Sequence, residues 1–269
     1  MRLSQLAVEA LGYALTLTGD CEIGSISADS REQTEKGLFF CIKGAHFDAH
    51  RFAPQAIKNG AVALVVSQLQ EDLEVPQLLV SNDRAAMALI ARAFYGFADQ
   101  QLKLIGITGT KGKTTTSYLV KAVLEAMGSI CGLIGTTGNM IGSQWMNSNL
   151  TTPDPIELHK TLRLMADAGC EYVVMEVSAH AVWMHRLEGL VFEAGCFTNL
   201  SQDHLDFFGT MENYFQAKRK FFISGAVKNA VISLDDPWAY RVSQELTIPQ
   251  ITYAICTNAD LFARDIQIE

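Results

Sequence analysis

The feature that most constrains the fold is an apolar strand pattern that leads through a glycine-rich turn into an amphipathic helix pattern. Residues 102–108 read LKLIGIT, residues 109–116 read GTKGKTTT, and apolar side chains then recur at helical spacing until a glycine at position 128. In this order of elements, backbone N–H groups of the turn and the helix N-terminus point at a bound anion. The sequence therefore predicts a phosphate-binding loop within an α/β sheet, with Gly109 and Gly112 permitting the turn.

Two side chains at the start of the helix extend this prediction. Lys113 is expected to reach the terminal phosphates of a nucleotide, and the Thr114 hydroxyl is expected to bind Mg²⁺. The common spacing GxxxxGK[ST] would require a glycine at the position of Ile107, so a strict motif search fails by one place. The strand and helix patterns on either side nevertheless favour a phosphate loop over a glycine-rich turn with a chance lysine.

Short β-branched runs alternate with helical stretches from residue 61 onward, which is typical of βαβ units and a mainly parallel sheet. Asp83 is expected to cap one of these helices and Gly96 to end it. The predicted strands are 61–67, 77–81, 102–108, 131–136, 172–177, 194–199, 230–234 and 251–254.

A polar stretch, GFADQQ at 96–101, is the best candidate for a linker and places a domain boundary near residue 100. A length of 269 residues fits two domains of ordinary size. The predicted fold class is α/β. A small N-terminal α/β domain (1–100) precedes a P-loop-type, mainly parallel sheet domain flanked by helices (101–269).

Composition limits the classes to which the chain can belong. Hydrophobic residues make up 49% and charged residues 19%, which supports a large core and excludes disorder. The net charge of −8 provides no positive field for phosphates, so nucleic acid is not an expected partner. No apolar stretch is long enough for a membrane span and no signal peptide is recognisable, so we expect a cytoplasmic protein. The six cysteines lie far apart, which predicts buried reduced thiols rather than a zinc site or disulfides.

Several ionisable residues fall near the predicted strand ends, where ligands bind in open α/β sheets. Glu176 ends a buried-strand pattern and is expected to face a metal, the alternative being a surface glutamate on an edge strand. Arg186 follows in a loop and is able to clamp an anion. Lys218 lies among aromatic residues of a predicted helix, where a desolvated lysine loses its proton easily.

An acidic and histidine cluster follows the strand at 194–199. Asp203, His204 and Asp206 suggest metal or water ligation beside the phosphate loop. The alternative is that Asp203 caps a helix.

Five motifs occur in a fixed order along the chain: GITGTKGKTTT (106–116), NLTTP (149–153), MEVSAH (175–180) followed by an arginine, FTNLSQDHLDFFG (197–209) and QAK (216–218). Together they resemble the Mur ligase family, most closely its MurE branch. The stretch ADSREQTEKGLFFCIKGAHFDAHRF (28–52) is similar to the uridine-nucleotide domain of the MurE and MurF branches. The longer phosphate loop is itself a trait of this family.

This resemblance implies an enzyme of peptidoglycan precursor synthesis. It would join an amino acid, meso-diaminopimelate or L-lysine, to UDP-N-acetylmuramoyl-L-alanyl-D-glutamate, with ATP as co-substrate and Mg²⁺ as cofactor. The family's route passes through an acyl phosphate that the incoming amine attacks. The protein would act as a monomer, with the UDP-sugar peptide and the amino acid as its partners.

Matched residue by residue, the resemblance also implies roles for individual side chains. The ATP-binding loop matches Gly109, Thr110, Lys111, Gly112, Lys113, Thr114 and Thr115. The positions that hold the UDP-sugar peptide match Ser30, Thr151, Thr152, Ser178 and Arg186. The metal sites match Thr114, Glu176, His204 and Lys218, the last being the lysine that the family carries as a carbamate. The catalytic positions are then Lys113, His204 and the carbamylated Lys218.

The chain departs from the family pattern at four positions near these sites. Lys111 stands where an asparagine is usual, and Ala179 replaces the second serine of MEVSSH. Met184 replaces a polar residue of some members, and Ser233 stands where an asparagine would meet the adenine. Family members also continue for about another domain, which selects the amino acid, and we expect that domain to be absent from this chain.

Other functions remain open at this point. A P-loop kinase or GTPase would need a Walker-type aspartate or the base-reading NKxD motif, and NKxD is absent from the sequence. A MurF-type ligase shares the DSR and KGxxFDxHxF patterns, and folylpolyglutamate synthetase shares the loop chemistry but not the N-terminal region. A non-catalytic fragment that binds nucleotide and UDP-sugar is the third alternative.

Overall fold

The computed structural model describes residues 1–12, 16–44 and 47–267. They form two compact units, one of residues 1–97 with 155–160 and one of residues 98–154 with 161–269. Positions 45 and 46 of the family-like stretch 28–52 lie outside the described residues. In the described part of the chain, no helix is long and apolar enough to cross a membrane.

The first unit is built on a five-stranded sheet with the order β1-β5-β4-β3-β2. Strands β2 to β5 run parallel, and β1 pairs antiparallel with β5. The strands are β1 Thr16–Leu17, β2 Ser25–Ser27, β3 Gly37–Phe40, β4 Ala61–Val66 and β5 Gln77–Leu79. The helices are α1 Leu3–Leu11, α2 Ala53–Lys58 and α3 Asp83–Phe94, with a 3-10 turn at Ala49–Phe52.

Helix α3 is where it was predicted, with Met87 and Ile90 buried, but its cap differs. The Asn82 side chain accepts the hydrogen bond from the Ala85 N–H, so Asn82 and not Asp83 is the N-cap. The Asp83 carboxylate instead accepts from the Lys43 N–H at 2.7 Å. The cap prediction was wrong by one residue because both side chains suit an N-cap and only the backbone geometry separates them.

The division between the two units, after residue 97, falls within the segment 96–101 that the sequence singles out as a linker. A 3-10 turn occupies Ala98–Gln101, and Ala98 and Asp99 are buried. Half of this turn is therefore buried, although the composition of the segment is polar.

The second unit is built on a nine-stranded sheet with the order β14-β13-β12-β11-β6-β10-β7-β8-β9. The strands are β6 Lys103–Thr108, β7 Cys131–Gly135, β8 Gly138–Ile141, β9 Gln144–Met146, β10 Tyr172–Glu176, β11 Phe192–Phe197, β12 Ala230–Ser233, β13 Gln250–Ala254 and β14 Leu261–Phe262. All pairs are parallel except those of the β7-β8-β9 meander.

Six further helices follow β6 in the chain: α4 Lys113–Ala126, α5 Pro155–Asp167, α6 Ala179–Trp183, α7 Leu205–Phe208, α8 Met211–Ile223 and α9 Pro237–Glu245. Helix α4 packs on one face of the sheet, over a buried cluster of Ile107, Leu133 and Val174. Helix α8 packs closely on the other face, because a Cβ added at Gly106 would lie 2.5 Å from the ring of Phe221. The α/β fold class with a mainly parallel sheet is thus confirmed.

The cysteines are free thiols, as expected. Cys41, Cys131 and Cys170 are buried, Cys21 and Cys196 are partly buried, and Cys256 is exposed, so burial was wrongly expected of the last. Among the described residues, no group of three or more His, Cys, Asp and Glu side chains is arranged to hold a metal.

Candidate functional site

The phosphate loop joins the end of β6 to the start of α4 and is held against the end of β11. Gly109 has a φ of +150°, and a Cβ there would lie 1.9 Å from the Thr198 hydroxyl oxygen. The Thr110 N–H donates to the Asn199 carbonyl, and the Lys111 N–H donates to the Asn199 side chain, both at 2.9 Å. The loop conformation is therefore fixed by β11 and requires glycine at its first position.

The N-terminus of α4 is open to an anion. Gly112 occupies the N-cap position with a φ of +81° and so supplies no capping side chain to the first N–H groups of the helix. The half-buried Lys113 ammonium donates to the carbonyls of Gly109 at 3.0 Å and Thr110 at 3.1 Å. Burial lowers the Lys113 pKa, although the charge of Glu176 opposes this. A nucleotide phosphate would give this cation a better partner than two neutral carbonyls.

Glu176 ends β10, an inner strand of the sheet, and is 1% exposed, so the alternative of a surface glutamate on an edge strand is wrong. Its Oε2 accepts from the Thr114 hydroxyl and from the Thr136 hydroxyl, each at 3.0 Å. Its Oε1 accepts from the Thr136 N–H at 3.0 Å. The structure thus brings a loop hydroxyl and a buried carboxylate together at the carboxyl edge of the sheet, where ligands bind in such folds.

A second polar group surrounds Thr152, which is 1% exposed. Its hydroxyl donates to the Glu176 carbonyl at 2.8 Å and accepts from the Ser178 N–H at 3.0 Å. Ser178 also caps α6, since its hydroxyl accepts from the Ala181 N–H. The Thr151 hydroxyl lies 3.1 Å from that of Thr136. These hydroxyl groups are therefore continuous with the carboxylate of Glu176.

Arg186 is oriented by this second group. One of its terminal nitrogens donates to the Thr152 carbonyl at 2.8 Å, and its Nε lies 3.0 Å from the Asp154 carboxylate. Its other terminal nitrogen faces the Met184 sulfur at 3.9 Å, a weak acceptor. A substrate carboxylate would be a stronger partner for that nitrogen.

Lys218 lies on α8 and is 1% exposed. Its ammonium donates to the Gly109 carbonyl at 2.8 Å and lies 4.7 Å from the centre of the Tyr214 ring. Burial, followed by the charge of Lys113, holds the Lys218 pKa well below its usual value. The sequence-based expectation of a partly desolvated lysine understated its burial.

His204 adopts a left-handed backbone conformation with a φ of +53° before α7, and its side chain is about half exposed. Its ring lies 4.8 Å from that of His180 and 5.9 Å from that of Tyr214. Burial, followed by the His204 and Arg186 charges, lowers the pKa of His180. His204 and Lys218 thus lie against the same tyrosine ring.

The predicted cluster of Asp203, His204 and Asp206 does not form a metal site by itself within the described part of the chain. The Asp203 carboxylate accepts from the His204 N–H at 2.9 Å, which is a local turn contact. Asp203 is not a helix cap either, because His204 occupies the N-cap position of α7 and has no capping hydrogen bond. Asp203 and His204 are nevertheless neighbours, since the Asp203 carboxylate lies 3.6 Å from Nε2 of the His204 ring.

Ser30 belongs to the first unit, in the turn after β2. Its carbonyl accepts from the Asn59 side chain at 2.9 Å, and its neighbours Asp29 and Arg31 form an ion pair with each other. The Arg31 guanidinium holds the Asp29 pKa at about 2.

A cleft of about 630 Å³ opens beside the phosphate loop in the second unit. It is lined by Lys111, Gly112, Thr116, Thr198, Asn199, Ser233, Asp235, Tyr253, Ala254, Ile255, Leu261, Phe262 and Ala263. Ser233, one of the departures from the family pattern, is therefore on the cleft wall. Its size and its position next to the loop suit a nucleoside.

Sequence reasoning missed three residues that shape the site: Thr136, Asn199 and Tyr214. Thr136 and Asn199 each follow the last residues of a parallel strand, so the rule that singled out Glu176 also applied to them. Tyr214 had no such signal, since an aromatic residue at helical spacing is most simply a core residue.

Patterns of two known domain families match the chain. The Mur ligase middle domain matches residues 107–269, and the Mur ligase family catalytic domain matches residues 22–95. The UDP-N-acetylmuramoyl-L-alanyl-D-glutamate–2,6-diaminopimelate ligase 1 of Clostridium acetobutylicum is 43% identical over 92% of this chain and 51% of that protein. The chain spans about half the length of the curated relatives it matches.

Solved structures with similar folds include a UDP-N-acetylmuramoyl-L-alanyl-D-glutamate–2,6-diaminopimelate ligase. It has a TM-score of 0.80 at 30% identity and covers 90% of this chain and 51% of its own. The MurF ligase of Thermotoga maritima in complex with ADP has a TM-score of 0.58 at 23% identity, over 86% of this chain and 50% of its own. The second likeness shows the fold alone.

Proposed function

The chain belongs to the Mur ligase family, and from that premise we propose that it is the UDP-sugar- and ATP-binding part of a MurE-type ligase. The reaction adds 2,6-diaminopimelate to UDP-N-acetylmuramoyl-L-alanyl-D-glutamate in peptidoglycan precursor synthesis. The relatives' names support diaminopimelate over L-lysine as the amino acid. The need for ATP and a nucleotide-sugar substrate assigns the reaction to the cytoplasm.

The observation that carries this proposal is the pairing of Thr114, on the phosphate loop, with the buried carboxylate of Glu176 at 3.0 Å. A loop hydroxyl beside an inner-strand carboxylate is the arrangement that a magnesium-bound nucleotide requires. Thr152, Ser178 and Arg186 extend the same network toward a second substrate. A nucleotide site joined to a carboxylate-binding arginine suits activation of a carboxylate by ATP.

In this proposal, residues 109–115 hold the phosphates of ATP through backbone N–H groups, with Lys113 at the terminal phosphate. Transfer of the γ-phosphoryl group is chiefly positioning and charge neutralisation, which a half-buried lysine supplies. The ADP in the solved MurF structure supports a nucleotide in this fold. The cleft beside the loop then holds the base and ribose.

The donor set fits Mg²⁺. Thr114 and Glu176 offer hydroxyl and carboxylate oxygens, the hard ligands that Mg²⁺ takes together with phosphate oxygens and water. When bound, Mg²⁺ would supply positive charge to the phosphates. His204 is the proposed protein ligand of a second ion, together with Lys218 once that lysine carries a carboxylate.

Lys218 is suited to carbamylation because burial favours its neutral amine, which is the form that adds to CO₂. The ammonium first gives up one proton, and the resulting amine adds to CO₂ with release of a second proton, so that a buried cation becomes a carbamate anion. This change removes the repulsion between Lys218 and Lys113 and gives Lys113 an anionic partner. Tyr214 and the Gly109 carbonyl orient the lysine for it.

The UDP-sugar peptide is proposed to contact Ser30 in the first unit and Thr151, Thr152, Ser178 and Arg186 in the second. Arg186 positions the carboxylate of D-glutamate, which takes the γ-phosphoryl group from ATP and releases ADP. The amine of the amino acid then attacks the acyl carbon, the C–O bond to phosphate breaks, and inorganic phosphate leaves with its electron pair. After the attack, the amine nitrogen loses a proton to a neighbouring base or to water.

Residues 1–100 would form the UDP-sugar domain and residues 101–269 the ATPase domain. A MurF-type ligase is less well supported, because the solved MurF structure is 23% identical whereas the MurE-named relative is 43% identical. The chain spans about half of its relatives, so turnover is a property that we propose for the whole ligase.

Calorimetric titration with UDP-N-acetylmuramoyl-L-alanyl-D-glutamate tests the proposal. We expect binding that is at least tenfold tighter than that of UDP-N-acetylmuramoyl-L-alanine, because only the former has the D-glutamate carboxylate that is proposed to meet Arg186. Arg186→Gln should remove this difference, and Arg241→Gln, which changes an arginine paired with Glu212, should retain it. Equal affinity for the two ligands, or none for either, would contradict the proposed substrate.

A further inference from the structure

A buried hydroxyl group directly before the phosphate loop has no hydrogen-bond partner. Thr108 is the last residue of β6 and is 0% exposed, and its Oγ1 makes no hydrogen bond to any described residue. The great majority of buried polar side chains in native proteins are hydrogen-bonded, because the lost hydration must be replaced. The position of Thr108 therefore indicates a partner other than the backbone and unmodified side chains of the described residues.

Strand register shows that Thr108 faces helix α8. Ile107 packs under α4, so the next residue of the strand, Thr108, points to the opposite face of the sheet. Phe197 of β11 pairs with Thr108 and so lies on the same face. The ring centre of Phe197 is 6.0 Å from that of Phe222 on α8. The Thr108 hydroxyl therefore lies in the layer between β6 and α8.

The contacts of α8 place Lys218 next to Thr108 in this layer. Phe221 lies against Gly106, where an added Cβ would be 2.5 Å from its ring. Lys218 is three residues earlier on the same side of the helix, and its ammonium donates to the Gly109 carbonyl at 2.8 Å. Thr108 lies between these two contacts and directly precedes the residue whose carbonyl binds the Lys218 ammonium.

The polar groups around the end of Lys218 suit an anion better than a cation. The Lys113 ammonium donates to the same Gly109 carbonyl at 3.0 Å, so two cations share one neutral acceptor. The Thr108 hydroxyl is a donor that has no acceptor among the described residues. One cation and one unused O–H donor beside Gly109 together suit a carboxylate group carried by Lys218.

We propose that Thr108 is a positioning residue for the carbamate of Lys218, and that its hydroxyl donates a hydrogen bond to one carbamate oxygen. The inference rests on the proposed function, which assigns the carbamate to Lys218. In the modification, two protons leave the ammonium, the nitrogen lone pair forms the bond to the carbon of CO₂, and one C=O electron pair moves to oxygen. The remaining N–H still donates to the Gly109 carbonyl, and the new anion is next to Lys113 and Thr108.

This hydrogen bond should shift the carbamylation equilibrium of Lys218. A hydrogen bond to a charged acceptor is about twice as strong as one between neutral groups. Because the Thr108 hydroxyl has no partner in the unmodified protein, no hydrogen bond to a described residue is given up when the new one forms. The hydroxyl therefore stabilises the modified state and contributes nothing comparable to the unmodified state.

Carbon-13 NMR of the carbamate carbon tests this inference without an activity measurement. The chain is titrated with ¹³C-labelled bicarbonate at constant pH in the presence of Mg²⁺, and the signal that disappears in Lys218→Met is assigned to Lys218. Thr108→Val keeps the shape of the side chain without its hydroxyl. We expect it to raise the bicarbonate concentration at half-modification at least tenfold. Thr108→Ser keeps the hydroxyl and should stay within about threefold of the parent protein.

Thr161→Val is the matched control. Thr161 of α5 is also 0% exposed, and its Oγ1 also has no hydrogen-bond partner among the described residues. Its replacement removes a similar hydroxyl elsewhere and should leave the half-modification of Lys218 unchanged. Circular dichroism verifies that each variant folds. In buffer freed of CO₂, urea unfolding should show Thr108→Val to be at least as stable as the parent protein, because the hydroxyl that it loses has no partner there.

Three results would overturn the inference, and each has a different meaning. Unchanged half-modification in Thr108→Val would show that the hydroxyl does not bind the carbamate, while carbamylation itself would stand. A clear loss of stability of Thr108→Val in buffer freed of CO₂ would show that the hydroxyl already has another partner, such as a buried water. A parent protein without any signal that depends on Lys218 would refute carbamylation, and with it the role proposed above for Lys218.

Discussion

The ammonium of Lys218 lies 2.8 Å from the carbonyl oxygen of Gly109, and the ammonium of Lys113 lies 3.0 Å from the same oxygen. Two lysines thus converge on the first residue of the phosphate loop. Each charge disfavours the other, and the deeper lysine, Lys218, loses more hydration. The arrangement favours a neutral amine at Lys218 and leaves the positive charge at Lys113, where a phosphate would bind.

Replacing Lys218 by methionine should change how stability depends on pH. The native pKa of Lys218 is lowered, so the unfolded chain binds a proton that the native protein gives up. Stability should therefore rise with pH up to the ordinary lysine value of about 10.5. Urea unfolding at pH 7 and pH 9.5, in buffer freed of CO₂, should show this rise in the parent protein and a smaller rise in Lys218→Met. Lys220→Met, at an exposed position of the same helix, is the control, and equal slopes in all three proteins would contradict the assignment.

Replacing Glu176 by glutamine should remove the magnesium dependence of ATP binding. Glutamine keeps the shape of the side chain and still accepts from the Thr136 N–H. The negative charge that would attract the ion is lost. We expect ATP affinity in Mg²⁺ to fall at least tenfold, to the level measured with EDTA. Exposed Glu157→Gln should behave like the parent protein, and a magnesium effect that survives in Glu176→Gln would contradict the metal site.

Two glycines of the loop should differ in their tolerance of alanine. A Cβ at Gly109 would collide with Thr198, whereas a Cβ at Gly112 meets nothing within 4 Å. Gly112→Ala should therefore cost only the strain of a left-handed alanine, about 1–2 kcal/mol of unfolding free energy. Gly109→Ala should cost at least twice as much, because the loop must also leave β11. Urea denaturation measures both, and equal costs would show that the loop is not held as described.

The sequence predicted eight strands from residue 61 onward and missed six others in the described part of the chain, among them β2 Ser25–Ser27 and the fully buried β3 Gly37–Phe40. All eight predicted strands occur within a few residues of their predicted bounds, because parallel inner strands are continuous apolar runs. Strands β1 and β14 have two residues each, and β8 and β9 form a meander without a clear apolar run, so no local pattern marked them.

Helix α4 illustrates a deeper limit. Its apolar spacing correctly predicted a helix but not which side is buried. Ser117 and Lys121 are buried, whereas Leu119 and Val123 are exposed. The apolar spacing of a helix therefore predicts the helix without showing which of its faces is packed.

The candidate site was likewise predicted only in part from the sequence. Lys113, Thr114 and Glu176 were predicted together because strand ends and loop starts meet at one edge of a parallel sheet. The depth of Lys218 and its bond to Gly109 were not predictable, since both depend on how α8 packs across the sheet. The roles of all these residues stay predictions until the variants are measured.

His159 of α5 should make the protein less stable in mild acid. It is 1% exposed, its Nε2 has no hydrogen-bond partner, and burial, followed by the charge of Arg92, lowers its pKa to about 3. Between that value and the ordinary histidine pKa of about 6.5, the unfolded chain binds a proton that the native protein does not. Stability should therefore fall as the pH drops below about 6.5, by about 2 kcal/mol at pH 5 from this residue alone. Urea unfolding at pH 7.5 and pH 5 should show that His159→Leu loses less stability than the parent protein, by about that amount. His185→Gln, at a more exposed histidine, should lose as much as the parent, and a His159→Leu variant with the parent's full acid sensitivity would mean that other groups are responsible.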